Sequence, residues 1–168
     1  FRTSHEVQKI EVLGYDDLRK IVDWDAINEF RQRALNPAHP VARGSAQNPD
    51  IFFQARESAN KFYDAVPGIV IEYMKEIEKL TGRKYQPFDY VGDPEAENII
   101  IAMGSVCETI EETMNNMIAD GHRVGLLKVR LYRPFIKELF LAAIPKTVER
   151  IALLDRTKEP GSIGEPLY

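Results

Sequence analysis

One cysteine, Cys107, stands among 168 residues. A single thiol cannot build a disulfide framework or a CxxC metal pair, and it leaves a reducing, cytoplasmic setting as the default expectation. Long apolar runs are missing too. The longest, Leu139 to Ile144, is far short of the roughly 20 residues a membrane helix needs. Positive charge is in deficit: 22 Lys and Arg against 26 Asp and Glu give a net charge of −4. The two signs are interspersed, so the basic footprint of a nucleic-acid binder is absent. His5, His39 and His122 lie far apart in sequence, and none has a second ligand at helical spacing, as a zinc or iron site would require. No GxxxxGK[ST] or GxGxxG occurs, so neither nucleotide fingerprint is present.

What remains is ordinary globular material, 29% charged and 44% apolar, enough for one good core. The first half reads as helical. Asp16 and Asp17 precede a stripe of Leu18, Ile21, Val22, Trp24, Ile27 and Phe30, with acidic residues early, as the helix dipole favours. Asn36-Pro37-Ala38-His39-Pro40 stops it, since proline removes a donor and pushes its predecessor out of the helical region. Residues 40–49 read as an extended linker. Pro49 suits the first position of a second helix, whose apolar face is Phe53, Ala55, Ala59, Phe62, Tyr63 and Val66. Pro67 is expected to bend or break it. A further helix then runs from Gly68 to Leu80 and ends at Gly82, a residue suited to a left-handed cap.

After Gly82 strand and helix alternate. Tyr85 to Val91 predicts a short strand. Asn98 to Met103, apolar without a break from Ile99, predicts a strand buried on both faces. A helix over 106–119, a strand over 124–131, a helix over 136–143 and a strand over 151–154 follow. Strands separated by single helices predict an α/β fold with an open, mostly parallel sheet and right-handed crossovers. In such sheets ligands and partners meet the loops at the carboxyl ends of the strands.

Those loops carry the candidate site. Gly104-Ser105 sits between a strand and a helix start, a geometry able to hold an anion. Ser105 with Glu108 also spells a capping box. Cys107 reads as a small core thiol, since nothing marks a base beside it. Lys128 and Arg130 share one strand face, which implies a sheet edge, an anion or partner surface, or an inter-domain salt bridge. Arg133 follows, where a guanidinium can grip an anion bidentately. The final loop, Asp155 to Pro166, holds Arg156, Thr157, Lys158, Gly161 and Gly164 among both charge signs and two prolines. So much restricted backbone predicts a shaped docking surface rather than a floppy tail.

Taken together, FRTSHE, NPAHPVARGSAQNPDIFFQARE, FDYVGDPEAENIIIAMGS, KVRLYRPF and LLDRTKEPGSIGEPLY resemble the pyruvate:ferredoxin (flavodoxin) oxidoreductase family, over essentially the whole chain. The resemblance implies an internal fragment of an enzyme that oxidatively decarboxylates pyruvate. That enzyme uses thiamine pyrophosphate with Mg2+, sends electrons through iron–sulfur clusters to ferredoxin or flavodoxin, and traps the acyl group on coenzyme A. It implies that residues 83–168 resemble the C-terminal domain of transketolase, with more strand and helix expected beyond Tyr168, and that residues 1–82 are the end of a preceding domain and a helical connector. The family's catalytic glutamate and pyruvate-gripping residues would lie upstream, and its diphosphate motif and cluster cysteines downstream. No catalytic or metal residue is therefore carried over onto this sequence. The fragment itself is expected to be non-catalytic, to bind no cofactor alone, and to contact other domains of the same protein and a second subunit of a homodimer. Neither nucleic acid nor membrane is expected as a partner. The alternative is a domain binding CoA or another anion in a related oxidoreductase with a different 2-oxo acid substrate. In either case the expected contacts are Gly104, Ser105, Arg133, Arg156, Thr157, Lys158, Gly161 and Gly164.

Overall fold

A computed structural model describes residues 7, 9–42 and 44–168. The FRTSHE motif with His5, and Arg43 in the linker, lie outside the described residues. The chain divides into two compact units, Phe1–Ala55 and Arg56–Tyr168.

In the first unit, helix α1 (Tyr15–Ile21) carries Asp16 and Asp17 in its opening turn and Arg19 and Lys20 in its last. Side-chain pairs Arg19–Asp16 at 2.7 Å and Lys20–Asp17 at 3.0 Å tie those turns together. The stripe from Asp16 to Phe30 is not one helix. Val22 is extended, Asp23 begins again, and α2 runs Trp24–Gln32. Asp23 accepts the Ala26 N–H on its carboxylate at 2.9 Å. A short acidic side chain that can satisfy an orphan amide favours a helix start over a helix interior, and here it splits the stripe. Past α2, Asn36 accepts the Ala38 N–H on its side chain at 2.9 Å and the His39 N–H on its carbonyl at 2.9 Å, closing the expected stop as a turn. Helix α3 (Pro49–Glu57) begins on its proline.

The expectation that Pro67 ends the second helix is corrected. The interruption falls at Ser58-Ala59, and α4 (Asn60–Thr81) continues through Pro67 to Gly82, which caps it with φ 71°. Proline inside a helix deletes one intrahelical bond, a cost of about 3 kcal/mol. The turns on both sides carry Val66, Val70, Ile71 and Met74, all half-buried, and hold the helix across the gap.

The sheet has strands β1 (Phe88–Gly92), β2 (Asn98–Ala102), β3 (Val124–Val129) and β4 (Arg150–Leu153), in spatial order β1-β3-β2-β4. Two helices accompany it, α5 (Val106–Ala119) between β2 and β3, and α6 (Lys137–Ala143) between β3 and β4. β2 pairs parallel with both β3 and β4, whereas β1 pairs antiparallel with β3, Phe88 opposite Val129. β1 reaches β2 without a crossover helix, so the parallel rule does not govern it. On one face Phe88, Ala96, Ile99, Ile101, Leu127 and Val129 form a buried cluster against Ile136, Phe140 and Leu153. On the other, Ala102, Cys107, Met114 and Leu126 pack against Ile100, Ile110 and Ile118. The carboxyl ends of all three parallel strands therefore open along one edge.

Candidate functional site

The loop after β2 turns at Gly104, and the Cys107 N–H returns to the Gly104 carbonyl at 3.1 Å. The capping box expected of Ser105 does not form. Ser105 already has helical backbone angles, φ −64° and ψ −20°, and its side chain caps no amide. With its own backbone inside the first turn, its hydroxyl cannot point back at the amides of that turn. Cys107 is buried in the core cluster. Burial pushes its thiol upward, against the opposing pull of Lys128 and Arg130. It is a protonated packing residue.

Beside this turn lies a polar cleft of about 510 Å³, lined by Gly104, Ser105, Cys107, Glu111, Lys128 and Arg130 among others. Its cations are already engaged. Lys128 is ion-paired with Glu111 of α5, and Arg130 with Asp89 of β1. Arg130 also stacks on the Tyr85 ring, 4.8 Å from its centroid. The sheet-edge explanation for these charges fails, because β3 lies between β1 and β2. Each pair is made within the second unit, Lys128 with the helix packed on the sheet and Arg130 with the neighbouring strand, so both charges are neutralised locally. A free bidentate grip on an anion is not offered by either residue as it stands.

The loop after β3 places Arg133 in solvent, its guanidinium 5.2 Å from the Tyr132 ring centroid. The Arg133–Pro134 bond is cis. Tyr132 donates its hydroxyl to the Pro166 carbonyl at 2.6 Å, joining the loop after β3 to the loop after β4. Between them is a second cleft of about 330 Å³, lined by Tyr132, Arg133, Phe135, Pro166, Leu167 and Tyr168.

The terminal loop is closed on itself. Asp155 accepts the Leu167 N–H on its carboxylate at 3.1 Å. Glu165 accepts the Glu159 N–H at 2.5 Å and lies 3.7 Å from the Lys158 ammonium. Lys158 also donates to the Ser162 carbonyl at 3.3 Å, and the Ser162 hydroxyl donates to the Gly164 carbonyl. Leu167 is packed on the core. Gly164 lies against the Tyr168 ring, where a Cβ would overlap the ring carbons.

The candidate residues thus share the carboxyl edge but not one cavity. Gly104 and Ser105 line the first cleft and Arg133 the second. Arg156, Thr157, Lys158 and Gly161 are exposed on the loop beyond both. The sequence reading passed over Asp155 and Glu165, the two carboxylates that shape this loop. Their signal is tertiary. An Asp after a strand and a Glu before a proline look like any solvated pair until Leu167 returns to residue 155. Among the described residues no three His, Cys, Asp or Glu side chains gather as a metal site would require.

Fold and site together define an open, mostly parallel α/β sheet with helices, its candidate loops lying at the carboxyl edge. Residues 1–75 match the profile of the pyruvate flavodoxin/ferredoxin oxidoreductase thiamine-diphosphate-binding family, and residues 96–168 that of pyruvate:ferredoxin oxidoreductase core domain II. The chain is 64% identical over 168 residues to the pyruvate:ferredoxin oxidoreductase of Moorella thermoacetica, covering all of this chain and 14% of that protein. It is 61% identical over 168 residues to the pyruvate-flavodoxin oxidoreductase of Enterobacter agglomerans, again all of this chain and 14% of the relative. Against the Klebsiella pneumoniae pyruvate-flavodoxin oxidoreductase it is 58% identical over 167 residues, 99% of this chain and 14% of the relative. The chain belongs to the pyruvate:ferredoxin/flavodoxin oxidoreductase family, and it spans about one-seventh of the length of these relatives.

Proposed function

We propose that the chain is part of a thiamine-dependent pyruvate:ferredoxin oxidoreductase, in which pyruvate and CoA yield acetyl-CoA and CO2 while electrons pass to ferredoxin or flavodoxin. Its own part in that enzyme is structural. Residues 1–82 are the end of a preceding domain and a connector, and residues 83–168 are a docking domain that helps shape the active-site assembly and meets a second subunit. The activities of the relatives support oxidation of pyruvate with ferredoxin or flavodoxin as carrier, and the thiamine-diphosphate family match supports that cofactor. Mg2+, iron–sulfur clusters and CoA enter with the family reading and are assigned to other parts of the protein. No helix among the described residues is long and apolar enough to cross a membrane, and a cytoplasmic enzyme is the matching proposal.

The observation that carries the docking role is the Tyr132–Pro166 hydrogen bond. It joins loops 34 residues apart into one preformed surface, which lowers the ordering cost a partner would otherwise meet. Arg133 lines the cleft beside it, Arg156, Thr157, Lys158 and Gly161 are exposed on the terminal loop, Gly164 lies in that loop, and Gly104 and Ser105 line the neighbouring cleft. Given pyruvate, thiamine pyrophosphate and CoA, the 168-residue chain should show no turnover, and measurable CO2 release would overturn the structural assignment. In the full-length enzyme, Tyr132→Phe should lower activity severalfold while leaving the cofactor content intact. Unchanged activity would remove the latch from the function.

The exposed Arg133 beside its cleft also favours a second reading, in which this edge holds an anion such as a CoA phosphate. Calorimetric titration with CoA tests it: binding that Arg133→Ala weakens supports the reading, and no heat at millimolar CoA rejects it for this chain.

A further inference from the structure

Charge pairing along α4 is uneven. Glu76 and Lys79, one turn apart, are bound at 2.6 Å. Lys75 and Glu78 have the same spacing with the signs in reverse order, which pairs less well along a helix. Among the described residues no ion pair or side-chain hydrogen bond engages either of them. Glu78 is nonetheless half-buried, and a carboxylate withdrawn from water without a partner is unfavourable.

Both side chains line a cleft of about 370 Å³ between α4 and α6. Ile71 and Met74 lie on the same stripe of α4 and supply its apolar wall, while Leu139 and Ala142 of α6 form the other. The methyl side chain of Ala142 leaves the space between the helices unfilled. A further cation, Lys84, lines the cleft from the extended segment that leads into β1. It is exposed, and among the described residues it too has no ion pair. An apolar interior is thus joined to one anion and two cations. Small-molecule sites span roughly 300–1,000 Å³, and this cleft falls near the lower bound, which suits one small molecule rather than a cofactor of CoA size.

We propose that this cleft binds a free α-amino acid with an apolar side chain, of the size of leucine or methionine. Charge complementarity selects that ligand. Its ammonium answers Glu78, its carboxylate answers Lys75 or Lys84, and its side chain covers Ile71, Met74 and Leu139. An α-amino acid carries its opposite charges on neighbouring atoms. Lys75 and Glu78 present opposite charges from adjoining turns of one helix face, so a single ligand meets both. A fatty carboxylate would leave Glu78 without a partner, and an alkylamine would leave the lysines so. The inference goes beyond the docking role of the carboxyl-edge loops, because none of their candidate residues lines this cleft.

Calorimetric titration of the full-length protein with L-leucine tests it. Binding should saturate at millimolar leucine, and no saturable heat would overturn the proposal. Glu78→Gln keeps the shape of the side chain and removes its charge. It should weaken leucine binding at least about tenfold, as loss of one charge-assisted hydrogen bond requires, and equal affinity would overturn the proposal. Ala142→Leu should abolish binding by filling the cleft, with helix content unchanged by circular dichroism; retained binding would place leucine elsewhere and overturn it. Isocaproate and isoamylamine each lack one of leucine's two charges and should bind at least about tenfold more weakly. Equal binding of isocaproate would make the site one for apolar acids, which overturns the amino-acid assignment. Binding by the 168-residue chain but not by the full-length protein would give the cleft to another segment of the polypeptide, and would also overturn it.

Discussion

The two units of this chain differ in what their apolar residues accomplish. No described residue of Phe1–Ala55 is buried, and Tyr15, Phe30 and Phe53 are at least two-thirds exposed. In the second unit Ala102, Leu126 and Leu127 have no exposed surface at all. The compositions are alike; the difference is in packing partners. Helices of seven to nine residues are below the length at which helices are stable alone in water, and α1, α2 and α3 fall in that range. The sheet, by contrast, supplies two faces: α5 buries Cys107 and Met114 against one, and α6 packs the half-buried Phe140 and Ala143 on the other. Amphipathic pattern alone makes helices possible; a second layer makes them stable.

The contrast can be broken most forcefully at its centre. Leu127→Ala should cost about 2–5 kcal/mol of unfolding free energy in urea, whereas Phe53→Ala should stay within about 0.5 kcal/mol. Equal costs would mean that the first unit has a core of its own. Next is overpacking. A Cβ on Gly125 would meet carbons of the Tyr90 ring at 2.7 Å, and Tyr90 is held by its hydroxyl on the Asp93 carbonyl. Gly125→Ala should therefore cost about 1–3 kcal/mol, read from the same transition. In the first unit, Asp23→Ala removes the acceptor of the Ala26 N–H and should weaken the start of α2 by about 1 kcal/mol. Circular dichroism should show the loss as reduced helix content, with the cooperative sheet transition in place.

The smallest effect is a matter of pH. Burial raises the Cys107 thiol above its ordinary value of 9.0, so above that value the folded state binds a proton that the unfolded state has released. Stability from this group is thus complete below about pH 9 and declines as pH rises toward the folded value. Cys107→Ala should fall less steeply than the parent protein over that alkaline range in urea titrations. Parallel curves would show that the thiol is not the group responsible.

Much of the second unit was legible because its strands are locally distinctive. Ile99 to Ala102 is apolar without interruption, as suits a strand with both faces packed, and the helix over 106–119 has the bounds its periodicity predicts. The antiparallel direction of β1 was not legible, since direction depends on the connection and not on the residues of the strand. Pro67 misled for the opposite reason. Its local rule is strong, and the packing that overrides it is contributed by residues on neighbouring turns. At the site, glycines and arginines announced the carboxyl-edge loops, but Lys128 and Arg130 gave no sign that Glu111 and Asp89 would neutralise them. Opposite charges 17 and 41 residues away are beyond any window of local pattern.

The Tyr132 hydroxyl finds its acceptor on the main chain of Pro166 and not on a side chain. Every amino acid carries that carbonyl, so position 166 can drift among relatives without changing the bond. Position 132 cannot, because only a phenol at that reach supplies the hydroxyl. The tie will therefore leave a one-sided trace in evolution, a fixed tyrosine with no covarying mate. Searches for paired substitutions would pass over it, although it joins the two loops that shape this edge.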